Sequence, residues 1–477
     1  MKPNLGPIGQ TAAKKFKVPE GFPEVPQHAK WLGHLSGSWE DVGYQYGENV
    51  GNIISMVLDY FIERAVETGD KRGKRLDLNH LVDDCRLYEK QMYALDPQMI
   101  DFTKGIAQGA SKFLAKSRYA DKISDYEKVL LINCYPSIAL IHPDENAHMR
   151  AQSFLGTDQE AYHDCSGIAV LPEATEDRKT YVAHNIQQGY GVGLFSVAYA
   201  ATPPRGRTYW TIATAGMVTF NALFNDRGIS VLHMGGSRTR DPDDFGVPNR
   251  YALIDMIVNS STMSEAIERI TVGSNEYRRR SGRKTMLRDG GKNYLLAEPG
   301  RACVVETTSR HYAVRKPGDL KETGFIVGTN HQFCQESYNE ENELEGFPLT
   351  QYKSIEDEPI PSPGTISRFW TLYYEAKYNY GMINVLKMQE FLRAHHWYDR
   401  NGNRIDFVRQ GDRYVPTHYA HDHSTVCGHS GGYPEKYNNE MPASKVFISE
   451  DRKVLWTLGR PCTWEGPWDS LTINGGG

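Results

Sequence analysis

No run of apolar residues in this chain approaches the length needed to cross a bilayer, which argues against a helical membrane-spanning protein. The N-terminal Met1-Lys2-Pro3-Asn4-Leu5-Gly6-Pro7 lacks the apolar stretch of a secretory signal. The seven cysteines, at 85, 134, 165, 303, 334, 427 and 462, are odd in number and scattered, with no Cys-x-x-Cys pair. That pattern is no disulfide framework, and it sets the expectation of a reducing, cytoplasmic setting. A net charge of −5 leaves no basic footprint, so neither nucleic acid nor an anionic membrane surface is an expected partner. Internal repeats and low-complexity tracts are absent. Gly189-Tyr190-Gly191-Val192-Gly193 is glycine-rich but opens no helix and contains no phosphate-loop pattern. It reads as a rim loop, and no cofactor is expected. His418, His421, His423 and His429 crowd together, but their spacing matches no helix-face metal site. No metal is assigned to them.

What is present divides the 477 residues into three parts. Residues 1–30 carry five prolines and a Lys14-Lys15-Lys17 cluster, and read as an extended arm. Residues 31–164 read as helical. Trp39 to Thr68 places Val50, Ile53, Ile54, Val57, Tyr60 and Phe61 on one stripe, with Ser38 as N-cap. Gly43, Gly47 and Gly51 recur on one helical face. Each costs about 1 kcal/mol of helix propensity, so the repeat points to another backbone passing close by. Further helices are expected over Leu78 to Leu95, Gln98 to Ala115 and Ser124 to Cys134, the last stopped by Pro136. Residues 165–477 change to strands, with helices over Pro248 to Asn259, Ser264 to Ile270 and Ser367 to Ala394. Cys334 to Gly364 reads as an acidic surface loop, and Val446 to Ser449 with Val454 to Thr457 as a closing hairpin.

The chain is organised around His163-Asp164-Cys165-Ser166-Gly167-Ile168-Ala169-Val170-Leu171, a polar pair running into an apolar, β-branched strand. Tyr181-Val182-Ala183-His184-Asn185 follows after a polar turn and is expected to pair with it. Cys165 therefore stands where the chain enters a sheet. A thiol attacks only as thiolate and needs a lowered pKa or an adjacent base. No papain-type signature surrounds Cys165. Its own α-amine, freed by cleavage of the Asp164–Cys165 bond, would have a pKa near 7.7–8.0 and could accept the thiol proton.

These residues resemble the opening hairpin of the isopenicillin-N acyltransferase-like branch of the N-terminal-nucleophile hydrolases. Further segments resemble that family in the same order: Phe224-Asn225-Asp226-Arg227-Gly228-Ile229-Ser230-Val231, Cys303-Val304-Val305-Glu306, Gly328-Thr329-Asn330-His331, Ser424-Thr425-Val426-Cys427-Gly428-His429 and Leu458-Gly459-Arg460-Pro461-Cys462. The resemblance implies a four-layer α-β-β-α sandwich of the α/β (α+β) class, made as a precursor and cut between Asp164 and Cys165. The two fragments are expected to stay associated, with homo-oligomer formation open. It further implies an amidase in which Cys165 attacks a small-molecule amide. Asn185 and His233 are the expected oxyanion donors and His429 a further catalytic candidate, with His184, Gln187 and Tyr190 near the substrate. Three departures from the family's pattern stand out: Gln187 replaces an expected Asp, Gly428 an expected Arg, and His233-Met234 falls where an asparagine is expected. An acyltransferase passing the acyl group to an amine, an uncleaved binding homologue and a metal hydrolase are the alternatives. Glu306 reads as the partner of an arginine.

Overall fold

The computed structural model describes residues 30–71, 78–141, 164–189, 195–235, 245–333, 365–410, 413–416, 425–427, 439–440, 443–458, 461–463 and 468–474. The first element is a strand, β1 (Lys30–Ser36), where the sequence pattern had suggested only helices. Four helices follow: α1 (Trp39–Lys71), α2 (Leu78–Leu95), α3 (Gln98–Leu114) and α4 (Asp125–Ile141). Ser38 caps α1 reciprocally. Its hydroxyl accepts from Asp41 N–H at 3.1 Å, while Asp41 Oδ2 accepts from Ser38 N–H at 2.9 Å.

The glycine repeat in α1 meets a matching pair in α3. A Cβ on Gly43 would stand 2.8 Å from Ile106 N, and one on Gly47 would stand 3.0 Å from Ala110 N while overlapping the Ile106 carbonyl oxygen. Conversely, Gly105 and Gly109 of α3 face the carbonyls of Glu40 and Tyr44. The helices are therefore in backbone-to-backbone contact along this seam. The expected stop of α4 before Pro136 does not occur, since the helix runs on to Ile141. Proline removes one intrahelical hydrogen bond. Here Val129, Leu130, Leu131, Ile132 and Cys134 bury the preceding turns completely or nearly so, and that packing outweighs the local loss.

After α4 come β2 (Asp164–Val170), β3 (Tyr181–Gly189), β4 (Ser196–Thr202), β5 (Tyr209–Thr214), β6 (Ala222–Asn225) and β7 (Ser230–Gly235). Helices α5 (Asn249–Val258), α6 (Met263–Thr271) and α7 (Asn275–Ser281) precede β8 (Lys292–Glu298), β9 (Arg301–Thr307), β10 (Tyr312–Arg315) and β11 (Phe325–Gly328). Then follow α8 (Thr365–Tyr378), α9 (Val385–Leu392), β12 (Ala443–Ile448), β13 (Lys453–Leu458) and β14 (Asp469–Thr472).

These strands form two large sheets. The first has the order β1-β4-β5-β6-β7-β8-β9-β10, and the second β11-β2-β3-β12-β13-β14, with Asn439–Glu440 also pairing to β3. Strand β1 adds in parallel to β4, so the segment ahead of Cys165 supplies an edge strand as well as a helical layer. Alternation sorts the side chains. In β5, Tyr209 and Ala213 join the core under α1–α6, while Trp210 and Ile212 join the core between the sheets. In β2, Ile168 and Val170 pack under α8 and α9, while Cys165 and Ala169 face the first sheet. The result is the expected four-layer α-β-β-α sandwich.

Helix propensity alone favours Gly47→Ala by about 1 kcal/mol, whereas overpacking a tight interface costs about 1–3 kcal/mol. Because the methyl group meets main chain rather than a movable side chain, Gly47→Ala is expected to lower stability by about 1–2 kcal/mol. The midpoint of urea unfolding measures this, and an unchanged or higher midpoint would contradict the packing described.

Candidate functional site

Cys165 is the second residue of β2, with only 3% of its surface exposed, between the two sheets. Its main-chain N–H donates to Asn330 Oδ1 at 2.8 Å. Asn330 lies two residues beyond the end of β11, which pairs antiparallel with β2 from Phe325↔Val170 to Gly328↔Gly167. That register brings the end of β11 alongside the head of β2. The Asn330 side chain is itself held. Its Nδ2 donates to Gly235 O at 3.0 Å, and Arg368 Nη2 donates to its Oδ1 at 2.7 Å. Arg368 rises from α8, is fully buried, and donates through Nε to Ser166 Oγ at 3.0 Å. One guanidinium thus braces both the residue after the cysteine and the acceptor of the cysteine's nitrogen.

On the sulfur side, Asn221 Nδ2 lies 3.8 Å from Cys165 Sγ. Asn221 immediately precedes β6, is 2% exposed, and has no partner for its Oδ1 among the described residues. Its main-chain carbonyl accepts the His233 N–H at 2.8 Å. The amide donor thus comes from before the Gly228 turn, where the sequence pattern had pointed after it. His233 itself lies in β7 with its ring against Tyr294, centroids 5.9 Å apart. The neighbouring Leu232 and Met234 face the sheet–sheet interior. Alternation therefore turns the His233 ring away from Cys165, and its main chain holds Asn221.

A third feature is a buried lysine. Lys445 of β12 stands opposite His184 of β3 in register, and its Nζ is 3.1 Å from His184 Nδ1. Both are fully buried, and neither was legible as a pair. Burial pushes the Lys445 pKa down to about 7, opposed by the charge that Cys165 can carry. Burial first, then Lys445 and His233, drives His184 well below the usual histidine range. A neutral imidazole accepting from Lys445 is the resulting state, with His184 Nε2 lacking a partner among the described residues.

Asn185 is placed differently from the expected oxyanion donor. It neighbours His184, so alternation turns it to the opposite face of the sheet, where its Nδ2 donates to Leu392 O at 2.7 Å and Val426 O at 2.9 Å. It is a strut between β3 and the outer layer. Asp164 pairs with Gln187 at the β2–β3 end. The side chains of Asp164 and Gln187, together with Tyr190, His418, His421, His423 and His429, lie outside the described residues. Glu306 is the partner of an arginine, as its sequence context suggested: Arg315 Nε reaches it at 3.1 Å and Arg315 Nη1 reaches Glu322 at 2.7 Å, all three buried.

Fold and site together define a four-layer α-β-β-α protein with a cysteine at the head of a central strand, its nitrogen and sulfur each facing an asparagine amide. No family model matches the chain, and no curated protein matches it. Among solved structures it is similar to conjugated bile acid hydrolase from Clostridium perfringens, at 11% identity and a TM-score of 0.35 over 65% of this chain and 92% of that one. A second variant of the same enzyme gives a TM-score of 0.34. The N-acylethanolamine-hydrolyzing acid amidase ortholog of Caenorhabditis elegans is similar at 13% identity and a TM-score of 0.34, over 48% of this chain and 85% of that one. Similarity this low leaves activity and substrate to the chemistry of the site. Among the described residues, no helix is long and apolar enough to cross a membrane.

Lys445 yields a signed prediction. Between about 7 and the ordinary 10.5, the unfolded chain binds a proton that the folded chain does not, so folding stability rises with pH across that window. The cost of burying Lys445 is complete below pH 7, on the order of 5 kcal/mol by the 1.36 kcal/mol per pKa unit rule. Lys445→Met is therefore expected to be more stable than the parent near pH 6.5, with the advantage shrinking towards pH 10. Parallel urea titrations at those values test it, and a pH-independent difference would be the contrary result.

Proposed function

We propose that the chain is a self-processing cysteine amidase whose nucleophile, Cys165, works with its own α-amine. The observation that carries this reading is the pinned nitrogen of Cys165: the half-buried Asn330 side-chain oxygen, itself fixed by Arg368, accepts its hydrogen. A structural cysteine at a strand start needs no such cradle, because the sheet partner supplies the main-chain bonds. In the uncut chain this nitrogen belongs to the Asp164–Cys165 peptide. Attack of the Cys165 thiol on the Asp164 carbonyl forms a C–S bond and breaks the C–N bond. Water then opens the thioester, leaving residues 1–164 with a new carboxylate and residues 165–477 with a free amine.

In the processed protein the amine keeps Asn330 Oδ1 as its acceptor. The Arg368 guanidinium beside it disfavours a second positive charge, which keeps the amine neutral and able to take the thiol proton. The thiolate attacks the substrate carbonyl. Asn221 Nδ2, already aimed at the sulfur, donates to the oxygen that becomes negative. The ammonium returns its proton to the departing amine, and water then releases the acid through the same acyl-enzyme. Lys445 adds a positive charge when the sulfur is ionised, with His184 orienting its ammonium. A primary amine in place of water would make the same acyl-enzyme a donor for acyl transfer.

Intact-mass measurement of purified protein is expected to show two associated fragments, the larger beginning with Cys165, while Cys165→Ala stays whole. A single uncut wild-type chain that still hydrolyses amides would overturn the mechanism. Asn221→Ala is expected to lower kcat for a fluorogenic N-acyl amide by about 10²–10³ with little change in KM. A loss confined to KM would assign Asn221 to substrate binding instead.

A further inference from the structure

On the far side of the second sheet from Cys165, three soft ligands converge from three separate stretches of chain. They are His395, three residues beyond the end of α9, Cys427 in the short stretch 425–427, and Cys462 in the 3₁₀ turn Pro461–Thr463. One imidazole nitrogen and the two sulfurs all lie within 4.8 Å of one another. A tetrahedral zinc with bonds of 2.0–2.3 Å needs ligand atoms roughly 3.5–3.8 Å apart, so small side-chain movements close the set. The sulfurs are not bonded to one another.

The main chain around these residues is pinned as a unit. Cys427 N–H donates to Ala394 O at 3.0 Å, the residue before His395. Arg393 Nε donates to Pro461 O at 3.0 Å, the residue before Cys462. Asn185 from β3 ties Leu392 O and Val426 O together beneath them. Each ligand is thus preceded by a residue fixed to another segment of the cluster, and the whole rests on a buried amide. Cys427 is fully buried, while His395 and Cys462 are partly exposed, which gives a metal ion a way in. The histidine stretch considered from sequence contains only one of these ligands, and the other two are far from it in the chain.

We propose that His395, Cys427 and Cys462 form a structural zinc site. Two thiolates and one imidazole suit zinc and neutralise its charge, and the fourth position is left to a further ligand. The ion cross-links the end of α9, the 425–427 stretch and the turn after β13 over the outer face of β3. It takes no part in the amide chemistry, since it lies across the sheet from Cys165 and does not depend on that reading.

The test uses the full-length protein, purified without chelator and dialysed against metal-free buffer. Elemental analysis is expected to find about one zinc per chain, falling below about a tenth in Cys427→Ser, Cys462→Ser and His395→Ala. Cobalt added to chelator-stripped protein is expected to give an intense near-ultraviolet thiolate-to-cobalt band, and stripping is expected to lower Tm, with zinc restoring it. The cobalt and Tm measurements use the unmutated chain, so a variant that fails to fold does not remove the test. Wild-type protein lacking zinc and giving no thiolate–cobalt band would overturn the proposal. So would zinc content unchanged in folded variants, or a Cys427–Cys462 disulfide in non-reduced peptide masses.

Discussion

The site depends on one shared acceptor. Asn330 Oδ1 takes a hydrogen from the nitrogen of Cys165 and another from Arg368, so on the β11 side, where the ladder ends at Gly328↔Gly167, the head of β2 is fixed by a side chain. A buried carbonyl oxygen can accept two hydrogens without strain, and a charged donor roughly doubles the strength of such a bond. The consequence is chemical as well as structural. Arg368 places a guanidinium one shared acceptor away from the cysteine's nitrogen.

Sheet alternation organises everything else. The period of two in β3 sends His184 inward to Lys445 and sends its neighbour Asn185 outward to Leu392 and Val426. Adjacent residues therefore serve separate regions: one faces the sulfur, and the other supports the His395-Cys427-Cys462 cluster. The same rule in β7 places Met234 between the sheets and the His233 ring with the helical layer. A one-residue slip in either strand would exchange these roles.

Burying Lys445 opposes folding, and an apolar residue of similar size in its place would remove that cost. An ionisable group buried beside Cys165 is the kind of local inconsistency that makes a position a candidate functional site. The seam between α1 and α3 is its opposite. There, glycines that weaken the isolated helices allow the backbones to touch, and local propensity is traded for packing.

Elements governed by short-range chemistry can be read from the order of residues alone. The Ser38 cap, the glycine seam, the Cys165 hairpin and the Glu306 partnership were legible because capping, periodicity and strand patterning act within a few residues. What only the tertiary structure decided was which distant side chains meet. Asn221, Arg368 and Lys445 gather around Cys165 and Ser166 from three separate stretches, and β1 becomes a strand because β4 offers it an edge. Pro136 stays helical because its neighbours are buried, and His395 meets Cys427 and Cys462 across gaps in the chain that no spacing rule spans. Identity along the chain carries local preference; proximity across it is set by how the sheets and helices stack.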